Sequence, residues 1–518
     1  MNTKAISMKR LRPLFNCIVI TGLITGSLVA QQPAVIKIDL DRRIDTIDPN
    51  IYGSFLEPVG RGVVYGGLYD PASPFADENG FRKDFMQMIS ELNIPVIRWP
   101  GGNFVSGYNW EDGIGPKDQR PAILDLSRRR IETNQMGTDE YVKFCNLVES
   151  ENFICINAGT ATLDDARHWV EYCNYPKGTY YSDLRRKYGN EEPFNVKYWA
   201  LGNEIDGPWQ MGYKNKEDYV KFAGEAAKLM RLADRNIKLV ASGSSNYPLV
   251  TSDYDPNDGW IDWNDYILDH LAGSIDYISL HRYATQALRG LEDQQGFGNL
   301  MSLGCEIDKL IEITQGMIEK AEEKSGTNRP IYISFDEYSG GRGGLTTSLM
   351  LAQHLNSFIR HADIVKMANI TFLTGLVGST PDGYYRNTLF YPFYLYSNNC
   401  LGISLDVFTD CEKYNTELFK DIPYLDVSAS LDESRKMVIV NVINKHETKT
   451  IASDIVLQSG NYTGIARAHE INGETLSSTN TGEREDVKIV TKDIKFRGNN
   501  IQYVFPAHSL TQLEITLK

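Results

Sequence analysis

Two glutamates, Glu204 and Glu337, stand out by what precedes them. Each directly follows a small polar residue at the end of an apolar, strand-like run: Trp199-Ala200-Leu201-Gly202-Asn203 leads to Glu204, and Ile331–Phe335 with Asp336 leads to Glu337. Two carboxylates facing each other across a cleft are the least machinery that glycoside hydrolysis needs. One must hold a proton at working pH to protonate the leaving oxygen. The other must be ionised to attack the anomeric carbon. Opposed environments would push their pKa values apart. A lone glutamate at a strand end reads as an ordinary ion-pairing residue. Two of them, each beside an aromatic residue or an asparagine, favour the catalytic reading.

Such a pair needs a scaffold that brings distant strand ends together. Eight short apolar runs occur between Ile51 and Leu395: Ile51–Phe55, Val96–Trp99, Phe153–Ala158, Asn195–Leu201, Lys238–Gly243, Tyr277–Leu280, Ile331–Phe335 and Lys366–Phe372. Amphipathic segments separate them. In Lys216–Asp234, for example, Tyr219, Phe222, Ala223, Ala226, Leu229, Met230 and Ala233 recur at helical spacing. This alternation predicts a (β/α)₈ barrel over 51–395. A doubly wound open sheet would carry a Gly-x-Gly-x-x-Gly turn after its first strand, and none is present. Barrel active sites form at the C-terminal ends of strands. Those ends here supply Glu57, Arg98, Asn103, Asn203, Glu204, His281, Tyr283 and Glu337. A buried ring of polar groups is costly unless it does something.

After Tyr396 the texture changes. Met437–Ile443, Thr450–Leu457, Val487–Val490 and Ile501–Phe505 are β-branched runs separated by Asn, Gly, Ser and Asp. They predict a β-sandwich over 396–518. Val35–Leu40, within 31–50, is expected to join it as an extra strand.

The 518 residues carry 53 basic and 67 acidic side chains, a net charge of −14. That balance argues against nucleic acid or an anionic membrane surface as partner and leaves a neutral substrate open. Residues 1–30 open with Lys4, Lys9, Arg10 and Arg12, continue through an uncharged run from Leu14 to Val29, and end at Ala30. This is the layout of a secretory signal peptide, so a secreted or periplasmic location is expected, without a membrane anchor once the leader is removed. Seven cysteines are too sparse for a disulfide scaffold. No His-x-x-x-His or His-Glu-x-x-His spacing occurs, so no metal or other cofactor is expected.

Several runs together resemble glycoside hydrolase family 51, the α-L-arabinofuranosidases. They are Gly53-Ser54-Phe55-Leu56-Glu57, Arg98-Trp99-Pro100-Gly101-Gly102-Asn103, Leu201-Gly202-Asn203-Glu204-Ile205-Asp206-Gly207-Pro208-Trp209, Ser279-Leu280-His281-Arg282-Tyr283 and Phe335-Asp336-Glu337. The resemblance covers nearly the whole chain after residue 30. It implies a (β/α)₈ barrel with a β-sandwich built from C-terminal strands and an N-terminal one, and a homo-oligomer. It makes Glu204 the general acid/base and Glu337 the nucleophile. It places Asn203 on the 2-hydroxyl, Glu57 and Asn103 on other furanose hydroxyls, Arg98 against Glu337, and His281 and Tyr283 in the same pocket.

Three places depart from the family pattern. Tyr338 and the Gly340–Gly344 loop replace a Trp and an aromatic-rich loop. Arg128 stands where an aromatic platform would be. Asn387, which would touch the furanose pocket, replaces a Gln. The first two predict an open leaving-group side. The expected activity is retaining, exo-acting removal of arabinofuranosyl residues from plant polysaccharides or oligosaccharides. Another retaining glycosidase on the same scaffold, a β-glucanase or xylosidase, and a non-catalytic carbohydrate-binding protein are the alternatives.

Overall fold

The computed structural model describes residues 33–59, 62–245, 259–283, 296–339, 341 and 343–518. The leader expected over 1–30 lies outside the described residues, as do Gly340 and Arg342 of the Gly340–Gly344 loop. The first strand, β1 (Ala34–Thr46), precedes eight barrel strands: β2 (Gly53–Phe55), β3 (Val96–Trp99), β4 (Glu151–Cys155), β5 (Tyr198–Leu201), β6 (Lys238–Ala241), β7 (Tyr277–Tyr283), β8 (Tyr332–Ser339) and β9 (Val365–Thr371). All eight pair in parallel and in chain order, and β9 closes the ring on β2. The eight apolar runs of the sequence are these eight strands.

Boundaries shift where side chains or backbone intervene. Asp48 caps a short 3-10 turn over Pro49–Tyr52 by accepting from Asn50 N, so β2 starts later than its apolar run. Asn195 sits at φ +55, which keeps it out of β5. Inside the barrel, Val96, Phe153, Cys155, Tyr198, Ala200, Val240, Tyr277 and Met367 form one apolar cluster. A barrel core is packed side chains rather than a pore, so polar residues at the strand ends sit on a solid floor. The predicted helix forms as Lys216–Ala233 and buries Tyr219, Ala223, Ala226, Ala227 and Met230. None of the helices in the described residues is long and apolar enough to cross a membrane.

Beside short two-stranded hairpins such as Ile123–Asp125 with Arg130–Glu132, the C-terminal strands are β10 (Ile403–Asp410), β11 (Leu425–Asp432), β12 (Met437–Asn444), β13 (Ile451–Leu457), β14 (Tyr462–Asn472), β15 (Lys488–Lys495), β16 (Asn500–Phe505) and β17 (Ser509–Leu517). With β1 they make one continuous sheet in the order β15-β14-β17-β12-β11-β10-β1-β13-β16. The N-terminal strand joins as expected, antiparallel to β10 and parallel to β13. The sheet curls on itself: Tyr503 of β16 donates to Glu470 of β14, and strands from both ends share one apolar core. The sandwich's two faces thus come from a single sheet. The helix Leu345–Arg360 lies between barrel and sheet, and its Arg360 reaches Asp308 at 2.8 Å and Asp426 at 2.6 Å. That clamp ties the C-terminal sheet to the outer helices of the barrel.

Candidate active site

Arg98 is the hub. At the end of β3 it is 1% exposed and makes four polar contacts. Its Nη1 donates to Glu337 Oε1 at 2.8 Å, its Nε lies 3.2 Å from Asp336 Oδ2, its Nη2 donates to Asn203 Oδ1 at 2.7 Å, and the same Nη2 reaches Cys155 Sγ at 3.9 Å. Phe55 stacks against its guanidinium at 5.0 Å. Burial disfavours that charge, but Asp336 and Glu337 outweigh it and hold Arg98 firmly cationic. One buried cation from β3 thereby fixes residues from β5 and β8.

His281, from β7, is the second bridge. Its Nδ1 lies 3.0 Å from Glu204 Oε1 and 3.7 Å from Glu337 Oε2, and its Nε2 lies 3.3 Å from Asp336 Oδ1. Burial works against the imidazolium. Glu337, Asp336 and Glu204 together overcome it and push His281 up to about 10. Tyr283, two residues on in the same strand, donates to Glu337 Oε2 at 2.6 Å. Both oxygens of Glu337 are therefore held by donors.

Glu204 has φ +45, a left-handed backbone unusual for a residue with a side chain. It follows Gly202 at φ +101, and the chain turns sharply out of β5 there. Its Oε2 accepts from Trp209 Nε1 at 2.9 Å. The chemistry expected from the sequence needs an acid of raised pKa. Burial does push Glu204 up, but the His281 and Trp209 hydrogen bonds and Arg98 hold it below the ordinary range. The proton of this pair rests on the histidine side.

The sugar-binding residues expected from the sequence gather at the same mouth. Asn203 is 1% exposed. Its Oδ1 accepts from Arg98 and, at 3.1 Å, from Gly102 N, while its Nδ2 is a buried donor with no partner among the described residues. Asn103 Oδ1 accepts from Gln210 Nε2 at 2.7 Å. Glu57 Oε1 accepts from Phe104 N at 3.1 Å. Gly102, at φ +58, makes room for Glu57: a Cβ there would lie 2.1 Å from the Glu57 carboxyl carbon. The Gly101-Gly102 turn therefore serves a close backbone approach. Asn387 has its Nδ2 on Gly375 O at 2.7 Å and its Oδ1 accepting from Leu389 N at 2.9 Å. Its amide holds the loop after β9 together.

Of the departures from the family pattern, Arg128 keeps an exposed side chain whose Nη2 lies 3.4 Å from Glu57 Oε1. Tyr338 is fully buried against His354 and Phe358 and offers no surface to a ligand. Sequence reasoning left out three residues of the site: Trp209, Gln210 and Asp336. Each lies in or beside a motif already singled out, but only the fold shows which side chain it touches.

Glu57 is pushed up to about 8, first by burial and then by Glu337, with Arg128 and Phe104 N pulling the other way. The folded chain keeps this proton through neutral pH, whereas the unfolded chain releases it near 4.5. The folded state then binds the extra proton between those values, so stability falls as pH rises from about 4.5 to about 8. Glu57→Gln removes that loss. The variant should match the parent's stability near pH 4.5 and exceed it at pH 8.5 by on the order of 3–5 kcal/mol, read from denaturant unfolding at each pH, while kcat/KM falls about tenfold or more. A stability difference that does not grow with pH contradicts a protonated, buried Glu57.

Comparison with known proteins places this geometry. The sequence profile of the α-L-arabinofuranosidase 1 domain matches residues 88–288, and that of the α-L-arabinofuranosidase C-terminal domain matches 337–509. A probable α-L-arabinofuranosidase C of Aspergillus clavatus is 38% identical over 94% of this chain and 98% of its own. The chain belongs to glycoside hydrolase family 51. The solved family 51 α-L-arabinofuranosidase of Bifidobacterium longum superposes with a TM-score of 0.86 at 29% identity, covering 94% of this chain and 100% of its own. The intracellular exo-α-(1→5)-L-arabinofuranosidase of Halalkalibacterium halodurans is 36% identical over 87% of this chain and 93% of its own. That last name corrects one expectation. A secreted or periplasmic location does not stand, because a bacterial family 51 relative matched over most of the chain is an intracellular enzyme. A basic start followed by an apolar run is a pattern of composition, and it does not by itself fix a compartment.

Proposed function

We propose that this glycoside hydrolase is a retaining, exo-acting α-L-arabinofuranosidase on arabinose-bearing polysaccharides or oligosaccharides, with Glu337 as nucleophile and Glu204 as acid/base. One observation carries the reading. An oxygen of Glu204, an oxygen of Glu337 and a ring nitrogen of His281 lie within 4.8 Å of one another. Retention goes with carboxyl groups about 5–5.5 Å apart, and inversion needs about 6.5–9.5 Å to admit a water. An approach this close between the two carboxylates accords with the shorter, retaining separation.

The groups around the pair support the same chemistry. Glu337, held by Arg98 and Tyr283, attacks the anomeric carbon. The Glu204–His281 pair titrates as a unit and supplies one proton to the departing oxygen. In the second step Glu204 takes a proton from the incoming water, and the ester to Glu337 breaks. The orphaned Nδ2 of Asn203 is the donor for the 2-hydroxyl oxygen, a contact that can tighten in the transition state. The homo-oligomer implied by the family resemblance belongs to the same proposal.

A panel of 4-nitrophenyl glycosides tests it. The α-L-arabinofuranoside should exceed the β-xyloside and β-glucoside in kcat/KM by on the order of 100-fold or more, because the buried polar groups would be left unpaired by the wrong sugar. Preference for either of the others overturns the assignment of substrate.

A further inference from the structure

Gln210 is 4% exposed and lies in the loop that Glu204 opens. Two backbone hydrogen bonds tie that loop down, Gly207 N to Glu204 O at 2.8 Å and Gln210 N to Gly207 O at 2.9 Å. The side chain of Gln210 spans two residues of the turn after β3. Its Nε2 donates to Asn103 Oδ1 at 2.7 Å, and its Oε1 accepts from Ser106 Oγ at 2.7 Å.

An amide can be turned end for end, and here its neighbours decide the direction. Ser106 is 1% exposed, and among the described residues its hydroxyl has no acceptor other than Gln210. A buried hydroxyl proton left without an acceptor is costly. Ser106 therefore donates to Gln210, which turns Nε2 toward Asn103, which in turn uses its oxygen. The neighbouring Asn203 is fixed in the same sense by Arg98 and Gly102 N. Both asparagines end with their oxygens consumed and an N–H₂ edge to offer.

We propose that Gln210 is a positioning residue that sets the polarity of Asn103. It makes Asn103 a donor to a furanose hydroxyl oxygen and leaves the hydroxyl proton for another acceptor, with the carboxyl group of Glu57 packed against adjacent Gly102. The inference rests on the reading of Asn103 as a sugar-binding residue. It also links the acid/base loop to glycone recognition, because Trp209 of that loop holds Glu204 while Gln210 holds Asn103.

The test is Gln210→Glu, a change of one atom type. A carboxylate only accepts. Ser106 then donates to one oxygen and Asn103 must turn its Nδ2 to the other, presenting its own oxygen where a donor is needed. The expected result is a fall in kcat/KM on arabinofuranosides of about 100-fold. In an Asn103→Ala background the same change should add less than about twofold, since the effect runs through Asn103. Ser106→Ala, which frees Gln210 to turn over, guards against a misfolded first variant and should give a smaller loss of about tenfold. Unchanged kinetics in both Gln210→Glu and Ser106→Ala overturn the inference. So does a Gln210→Glu effect that persists undiminished without the Asn103 amide. If Asn103→Ala is damaging and Gln210→Glu neutral, only the inference fails. If Asn103→Ala is itself neutral, the reading of Asn103 fails with it.

Discussion

Glu337→Ala should abolish turnover, with kcat lower by on the order of 10⁴-fold or more on every arabinofuranoside. The size follows from what is lost. Without the carboxylate no glycosyl ester can form, and its neighbour Asp336 cannot replace it, being fully buried and committed to Arg98, His281 and Ser279. The loss should not depend on the leaving group, because the attacking atom is missing for good and poor substrates alike. Removal also strips Arg98 Nη1 and the Tyr283 hydroxyl of a shared acceptor. Circular dichroism and melting of the variant separate that structural cost from the chemical one. Activity within about tenfold of the parent in steady-state assays would remove Glu337 from the mechanism.

Glu204→Ala should behave differently, and the difference identifies the acid. General acid catalysis contributes about 10²–10⁴-fold. That loss should appear in full on arabino-oligosaccharides, whose leaving alcohol needs a proton. It should be much smaller on a 2,4-dinitrophenyl arabinofuranoside, whose leaving group departs as a stable anion. Azide fits the space vacated by the carboxylate and should restore turnover by attacking the glycosyl ester on Glu337. Equal loss on activated and unactivated substrates, with no response to azide, would exclude this role.

The barrel was legible because each strand is a short apolar run between amphipathic helices, and that alternation has few other solutions. Legibility reached the strand ends as well. Glu57, Arg98, Asn103, Asn203, Glu204, His281, Tyr283 and Glu337 all meet at one mouth, since a barrel brings every strand end together whatever the loops do. Charge state was harder to read. A raised pKa for the acid was a sound demand on the chemistry, yet the direction at Glu204 depends on a histidine from β7 and an indole from its own loop. Neither contact is encoded in local spacing. Arg128 sits at the turn of the hairpin Ile123–Asp125 with Arg130–Glu132, and its reach to Glu57 from an exposed position was not written in local spacing. Asn387 lies in the expected loop, but its amide is used on backbone. Gln210 was invisible for a similar reason: its partners are Asn103 and Ser106, distant in sequence.

The most direct measurement is the anomeric configuration of the first sugar released, followed by proton NMR before mutarotation. In the proposed mechanism, with an oxygen of Glu204 within 4.8 Å of one of Glu337, the anomeric carbon undergoes two displacements. The parent protein acting on an α-L-arabinofuranoside should therefore release α-L-arabinofuranose first, and Glu204→Ala with azide should give the α-glycosyl azide. A β-configured first product would mean a single displacement by water and would contradict the roles of Glu204 as acid/base and Glu337 as nucleophile.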